Sequence, residues 1–112
     1  MSKPLSWLAG EIKTPPMSIE ARREFGYLLR MLQEGEKLSL PHSRPMPSIG
    51  INCHELRVND INKTWRLFYH IHSKAIVILE IAEKKTQTTN KTIIQTCQKR
   101  LKHYELYQKQ KS

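Results

Sequence analysis

The chain has 112 residues, which is the size of one domain, so we predict a single domain over 1–112. Its 19 lysines and arginines against 10 acidic residues give a net charge of +9, which favours nucleic acid, an anionic membrane surface or an acidic protein as partner. No apolar run approaches the ~20 residues of a membrane span and no signal-peptide core opens the chain, so we expect a cytoplasmic location without membrane insertion.

The N-terminal half predicts a short strand, a helix and a long loop. Residues 4–9 form an apolar run typical of an edge strand. Ser18 is a suitable N-cap for a helix over about 18–34, and Gly35 is suited to end it. The apolar residues of this helix recur at helical spacing and make one stripe: Ala21, Phe25, Leu28, Leu29 and Leu32. The proline-rich stretch 36–51, which carries His42 and Arg44, is predicted as a binding loop because of its length.

The C-terminal half predicts three strands and a second helix. Cys53–Val58 and Trp65–Ile71 alternate between apolar and polar residues, and Ala75–Ala82 is almost entirely apolar. Short links between them indicate an antiparallel meander. Asn90 is suited to cap a helix that packs on the sheet, and a basic tail from about residue 106 is expected to fray. The fold class is therefore α+β, with a small antiparallel sheet.

Basic side chains accompany these strands. Arg57 and Arg66 occupy outward positions by alternation, where two guanidiniums on one face would suit a phosphodiester. Ion pairing with a carboxylate such as Glu55 is an equally open interpretation. Lys84 and Lys85 follow Ala75–Ala82, the most clearly predicted strand, and an ammonium group at the end of a strand can neutralise a reacting phosphate or move a proton. The simpler alternative is a solvated pair of charges at a turn.

Other kinds of chemistry have no motif here. His70 and His72 would share one face of a strand, but no further ligand lies near them in sequence, so neither a metal nor another cofactor is expected. The two cysteines are far apart, and there is no nucleophile elbow or glycine-rich phosphate loop. Phosphate chemistry with basic residues remains, and RNA suits it because its 2′-hydroxyl is a built-in nucleophile.

The order and spacing of several segments resemble one protein family. The segments are E-A-R-R-E-F-G-Y-L-L-R-M-L-Q-E-G-E at 20–36, R-P-M-P-S-I-G at 44–50, H-E-L-R-V at 54–58, W-R-L-F-Y at 65–69 and E-K-K-T at 83–86. Together they resemble the phage-derived HigB-like branch of the RelE/ParE toxin superfamily. The resemblance implies a twisted antiparallel sheet with helices packed on one face.

The resemblance also implies a function, a type II toxin that cleaves mRNA on the ribosome and is paired with a HigA-like helix-turn-helix antitoxin. Arg66 matches the family's aromatic-Arg-Leu-x-Tyr strand, Arg57 a basic position one strand earlier, and Lys84 and Lys85 the basic position after the last strand. The resemblance implies a tyrosine in the segment where this chain has Thr86–Asn90, so the general base and acid stay unassigned. His54 is a weaker candidate for proton transfer. Predicted RNA contacts are Arg44, Lys63, Lys99 and Arg100.

Two other functions remain open at this stage. ParE relatives share the fold and act by binding gyrase, without cleaving RNA. A non-toxic protein that binds nucleic acid would show the same basic composition.

Overall fold

The structure is a computed structural model that describes residues 2–8, 16–85 and 88–111. Its elements, in chain order, are β1 (Leu5–Trp7), α1 (Ile19–Gln33), β2 (Ser43–Pro45), β3 (Cys53–Asp60), β4 (Lys63–Ile71), β5 (Ile76–Glu83) and α2 (Lys91–Lys111). The α+β class is confirmed. The predicted first strand also included Ala9, which lies outside the described residues.

The five strands form one sheet in the order β1-β5-β4-β3-β2. Strands β3, β4 and β5 pair antiparallel, as the short links predicted, while β1 pairs parallel with β5 at one edge. The opposite edge is β2, which lies inside the stretch predicted as a loop. The hydroxyls of Ser43, on β2, and Tyr69, on β4, are hydrogen-bonded at 2.8 Å in the interior. The sequence of this three-residue strand did not predict it, because the contact joins residues far apart in the chain.

Helix α1 begins where the sequence predicted. The Ser18 hydroxyl accepts a hydrogen bond from the Ala21 amide at 3.1 Å, and the predicted apolar stripe is buried. The Asp60 carboxylate accepts hydrogen bonds from the Ser18 amide at 2.8 Å and from Trp65 Nε1 at 3.0 Å. These bonds, the one from Ser18 foremost, lower the pKa of Asp60. The start of α1 is thereby fixed to the β3–β4 turn.

The two helices pack on opposite faces of the sheet, so the expectation of helices on one face was wrong. Helix α1 covers Leu56, Val58, Trp65, Leu67 and Tyr69. Helix α2 covers the other face, where Phe68, Val77 and Leu79 contact Cys97 and Leu101. The physical reason is that β4 and β5 carry apolar side chains on both faces, and each apolar face must be removed from water.

Helix α2 continues to Lys111, so the expected fraying from about residue 106 was also wrong. Tyr104 is buried, and the Lys111 ammonium lies 5.7 Å from the centre of the Tyr107 ring, one helical turn away. The helical conformation of α2 therefore continues past Leu106. Neither helix in the described part of the chain combines the length and the apolarity needed to cross a membrane.

Candidate functional site

The register of β3 and β4 brings the two predicted arginines together. Arg57 lies directly opposite Arg66, and both side chains project from the sheet face that α2 covers. Glu55 lies two residues before Arg57 and therefore shares this face. Arg44 on β2 lies opposite Glu55 and supplies a third guanidinium. Three neighbouring strands thus bring three arginines around one carboxylate.

Glu55 is the centre of this cluster, and its side chain has no exposed surface. Its Oε1 accepts hydrogen bonds from Arg44 Nε at 2.7 Å and Arg57 Nε at 2.9 Å, and its Oε2 accepts one from Arg66 Nε. Burial by itself would raise the pKa of Glu55, but the hydrogen bonds from the arginines outweigh it and hold the pKa below its ordinary value. Three guanidiniums against one carboxylate leave a local surplus of two positive charges.

Arg66 projects from the face that alternation predicted, but its side chain is only 2% exposed, so the expectation that it faces solvent was wrong. Its Nη2 donates to Thr89 Oγ1 at 2.6 Å, and its guanidinium lies 5.2 Å from the centre of the Phe68 ring. The residues leading into α2 therefore cover it. In this arrangement Arg66 holds the cluster together and is shielded from solvent.

Arg44 and Arg57 are the accessible members of the cluster, with 33% and 26% of their side chains exposed. Arg57 engages Glu55 through Nε, which leaves its two terminal nitrogens for a ligand. Arg44 also donates weakly, at 3.4 Å, to Thr89 Oγ1. Arg44 and Arg57 therefore form the solvent-facing part of the cluster, whereas Glu55 and Arg66 are buried.

Arg57 forms part of the wall of a cleft of about 340 Å³, which we call the β3-edge cleft because it lies where β2 no longer pairs with β3. The remaining lining residues are Glu24, Pro41, His42, Asn59, Thr64 and Lys84. The His42 carbonyl accepts a hydrogen bond from the Arg57 amide at 2.9 Å, which fixes the loop beside the strand. Within the lining, one carboxylate and one imidazole accompany one guanidinium and one ammonium group.

Lys84 reaches this cleft because the strand ladder continues past the end of β5. Its amide donates to the Thr64 carbonyl at 2.8 Å, which extends the pairing with β4. Lys85 is exposed and does not contribute to the lining. Of the segment Thr86–Asn90, where the resemblance leads us to expect a tyrosine, Thr86 and Gln87 lie outside the described residues.

The other predicted site residues lie elsewhere. His54 is on the α1 side of the sheet, where its ring stacks on Tyr69 with 5.3 Å between the ring centres, and burial lowers its pKa. Lys63 pairs with Glu83 at 4.0 Å near Trp65, on that same side. Two predicted RNA contacts are on α2: Lys99, which is exposed, and Arg100, which pairs with Glu80 at 3.4 Å.

Sequence reasoning missed two members of the site. Glu55 was considered only as a partner for exposed arginines, although its position two residues before Arg57 already indicated a shared face. His42 was read only as part of a binding loop, and no local pattern links it to Arg57 or Lys84. The described residues contain no group of three or more histidine, cysteine or acidic side chains placed to hold a metal ion.

The fold and the site define a small α+β domain whose sheet carries a fixed surplus of positive charge beside an open cleft. The comparisons identify the family. Residues 15–102 match the family described as "Phage derived protein Gp49-like (DUF891)", and because this is most of the chain, the protein belongs to that family, which is of the RelE/HigB-like toxin type. No curated protein and no solved structure matches the chain.

Proposed function

We propose that the protein is the toxin of a type II toxin–antitoxin system and acts in the cytoplasm as a ribosome-dependent mRNA endonuclease. The observation that carries the proposal is the cluster around Glu55, with its surplus of two positive charges beside the β3-edge cleft. Membership of a family of toxin type supports it. A helix-turn-helix antitoxin of the HigA kind is the proposed partner, and ribosome and mRNA are the proposed targets.

The chemistry follows from the position of the charges. A phosphodiester that enters the cleft gains hydrogen bonds from the terminal nitrogens of Arg57, and Lys84 lies on the same wall. Negative charge grows on the phosphate oxygens when the 2′-oxygen of RNA attacks the phosphorus. Because Glu55 holds Arg57 in place before the substrate arrives, little reorganisation accompanies that step. Arg66 is buried and acts as a positioning residue, because it donates to the Glu55 carboxylate that holds Arg57.

The test is expression in bacterial cells, with growth and mRNA 5′ ends as readouts. Wild type is expected to arrest growth and to produce new 5′ ends inside coding sequences. Arg57→Ala removes the accessible phosphate contact and should reduce cleavage by about 100-fold or more, the effect typical of losing one preorganised donor. Arg30→Ala is the matched control, because Arg30 is 79% exposed on α1 and the change removes the same charge.

Each alternative has its own outcome in that experiment. Growth arrest with intact mRNA and a DNA-damage response would favour a gyrase-binding toxin. Absence of arrest, combined with RNA binding that weakens steeply with salt, would favour a non-toxic nucleic-acid-binding protein. If Arg57→Ala cleaves mRNA at the wild-type rate, the assignment of Arg57 as the phosphate contact is wrong, although the proposed endonuclease activity is not contradicted.

A further inference from the structure

The β3-edge cleft contains a residue that the resemblance does not assign to any role. Cleavage through the 2′-hydroxyl requires a group that takes a proton from the attacking oxygen, and the arginines of the site cannot do this because they stay protonated. His42 lines the cleft together with Arg57 and Lys84. Histidine is the side chain best suited to proton transfer near neutral pH.

The other histidines are placed where they cannot serve this cleft. His54 stacks on the opposite face of the sheet. His70 is buried, with its Nδ1 3.0 Å from the Ile51 carbonyl oxygen. The ring of His72 contacts that of Tyr104, and His103 lines a groove beside β1. The lining of the cleft, as the described residues define it, includes no tyrosine.

Two features of the fold hold His42 at the cleft. Its carbonyl accepts the Arg57 amide at 2.9 Å, so its backbone is fixed at the residue that would bind the phosphate. Its amide donates to the Ser39 carbonyl at 3.1 Å, within the turn that precedes β2. The side chain itself is exposed, which leaves it open to a substrate. The titratable and charged groups that face it across the cleft are Glu24 from α1, Arg57 from β3 and Lys84 after β5.

We propose that His42 is the catalytic base of the β3-edge cleft, an assignment that rests on the proposed RNA endonuclease function. The neutral imidazole takes the proton of the 2′-hydroxyl as the 2′-oxygen forms its bond to phosphorus. The bond between phosphorus and the 5′-oxygen breaks, and its electron pair stays with that oxygen, which takes a proton from the Lys84 ammonium. Solvent then removes the proton from His42 and returns one to Lys84. The products are a 2′,3′-cyclic phosphate and a 5′-hydroxyl.

The experiment measures cleavage of ribosome-bound mRNA by the purified full-length protein. His42→Ala is expected to lower the rate by about 100-fold or more, as for loss of a general base. Added imidazole should restore a substantial part of that rate, because the cleft is open and a diffusible base can replace the missing ring. Arg57→Ala should gain nothing from imidazole. His103→Ala, an exposed histidine on α2, is the matched control and should cleave as wild type does.

The failures can be told apart. If wild type leaves ribosome-bound mRNA intact, the proposed function itself is wrong. If wild type cleaves and His42→Ala cleaves equally fast, the assignment of His42 is wrong while the function stands. A slow His42→Ala variant that imidazole does not restore also overturns it, because a purely structural defect behaves in this way. Loss of cleavage in Glu24→Gln together with normal cleavage in His42→Ala would transfer the role to Glu24.

Discussion

Replacing Glu55 with glutamine tests whether one buried carboxylate holds the arginine cluster together. Glutamine keeps the shape and one acceptor oxygen but removes the charge. Arg44 and Arg57 are about a third and a quarter exposed, so both can turn towards water. Arg66 is 2% exposed and would keep Thr89 Oγ1, the Phe68 ring and the uncharged oxygen of glutamine as partners, none of which carries a balancing negative charge. One uncompensated buried guanidinium therefore dominates the cost.

Loss of one partner from a buried ion pair typically costs about 3–5 kcal/mol, and the remaining acceptor oxygen favours the lower end, about 3 kcal/mol. Urea denaturation followed by tryptophan fluorescence measures this loss. With a slope of about 1–3 kcal/mol/M, the midpoint should fall by about 1–3 M. Glu36→Gln, at an exposed loop position, is the control and should leave the midpoint unchanged.

The pH dependence follows from the lowered pKa of Glu55. A carboxyl whose pKa is lower in the folded protein than its ordinary 4.5 contributes full stability above that pH and loses the contribution as the pH falls through the folded value. The difference in unfolding free energy between wild type and Glu55→Gln should therefore be largest near neutral pH and shrink in acid. A loss below about 1 kcal/mol at pH 7, or no recovery when Arg66→Met is added to Glu55→Gln, would refute the reasoning.

Two further predictions concern the cores on either side of the sheet. Phe25→Ala should lower the free energy of unfolding by about 3–5 kcal/mol, because Phe25 lies on the buried face of α1 and is fully buried. Tyr27→Ala, at a position 66% exposed on the same helix, should change it by less than about 0.5 kcal/mol; equal effects in urea denaturation would contradict the assigned core. Burial raises the pKa of Cys97, on α2, to about 12 and that of Cys53, on β3, to about 11, so a thiol reagent at pH 8 should label both slowly in the native protein and rapidly in denaturant. Fast labelling of the native protein would contradict the packing of α2 against the sheet.

Local sequence was sufficient for elements whose signal lies within a few residues. The Ser18 cap and the stripe from Ala21 to Leu32 specified α1, because helix formation depends on contacts three and four residues apart. Alternation along β3 and β4 similarly predicted that Arg57 and Arg66 point away from the apolar side of their strands, since side chains in a strand repeat every second residue. That the two arginines share one face also depended on the register in which β3 and β4 pair, which the structure supplied.

Tertiary structure decided what covers that face and which distant residues meet on it. The sequence does not specify that α2 packs over Phe68 and Val77, so the burial of Arg66 beneath Thr89 appeared only in the fold. Pairing of β2 with β3 brought Arg44 to Glu55, and the loop before it brought His42 to Arg57. The sequence by itself determined a basic α+β domain with arginines on its central strands. The arginine cluster around Glu55 and the β3-edge cleft depend on contacts between residues far apart in the chain, and no local periodicity encodes such contacts.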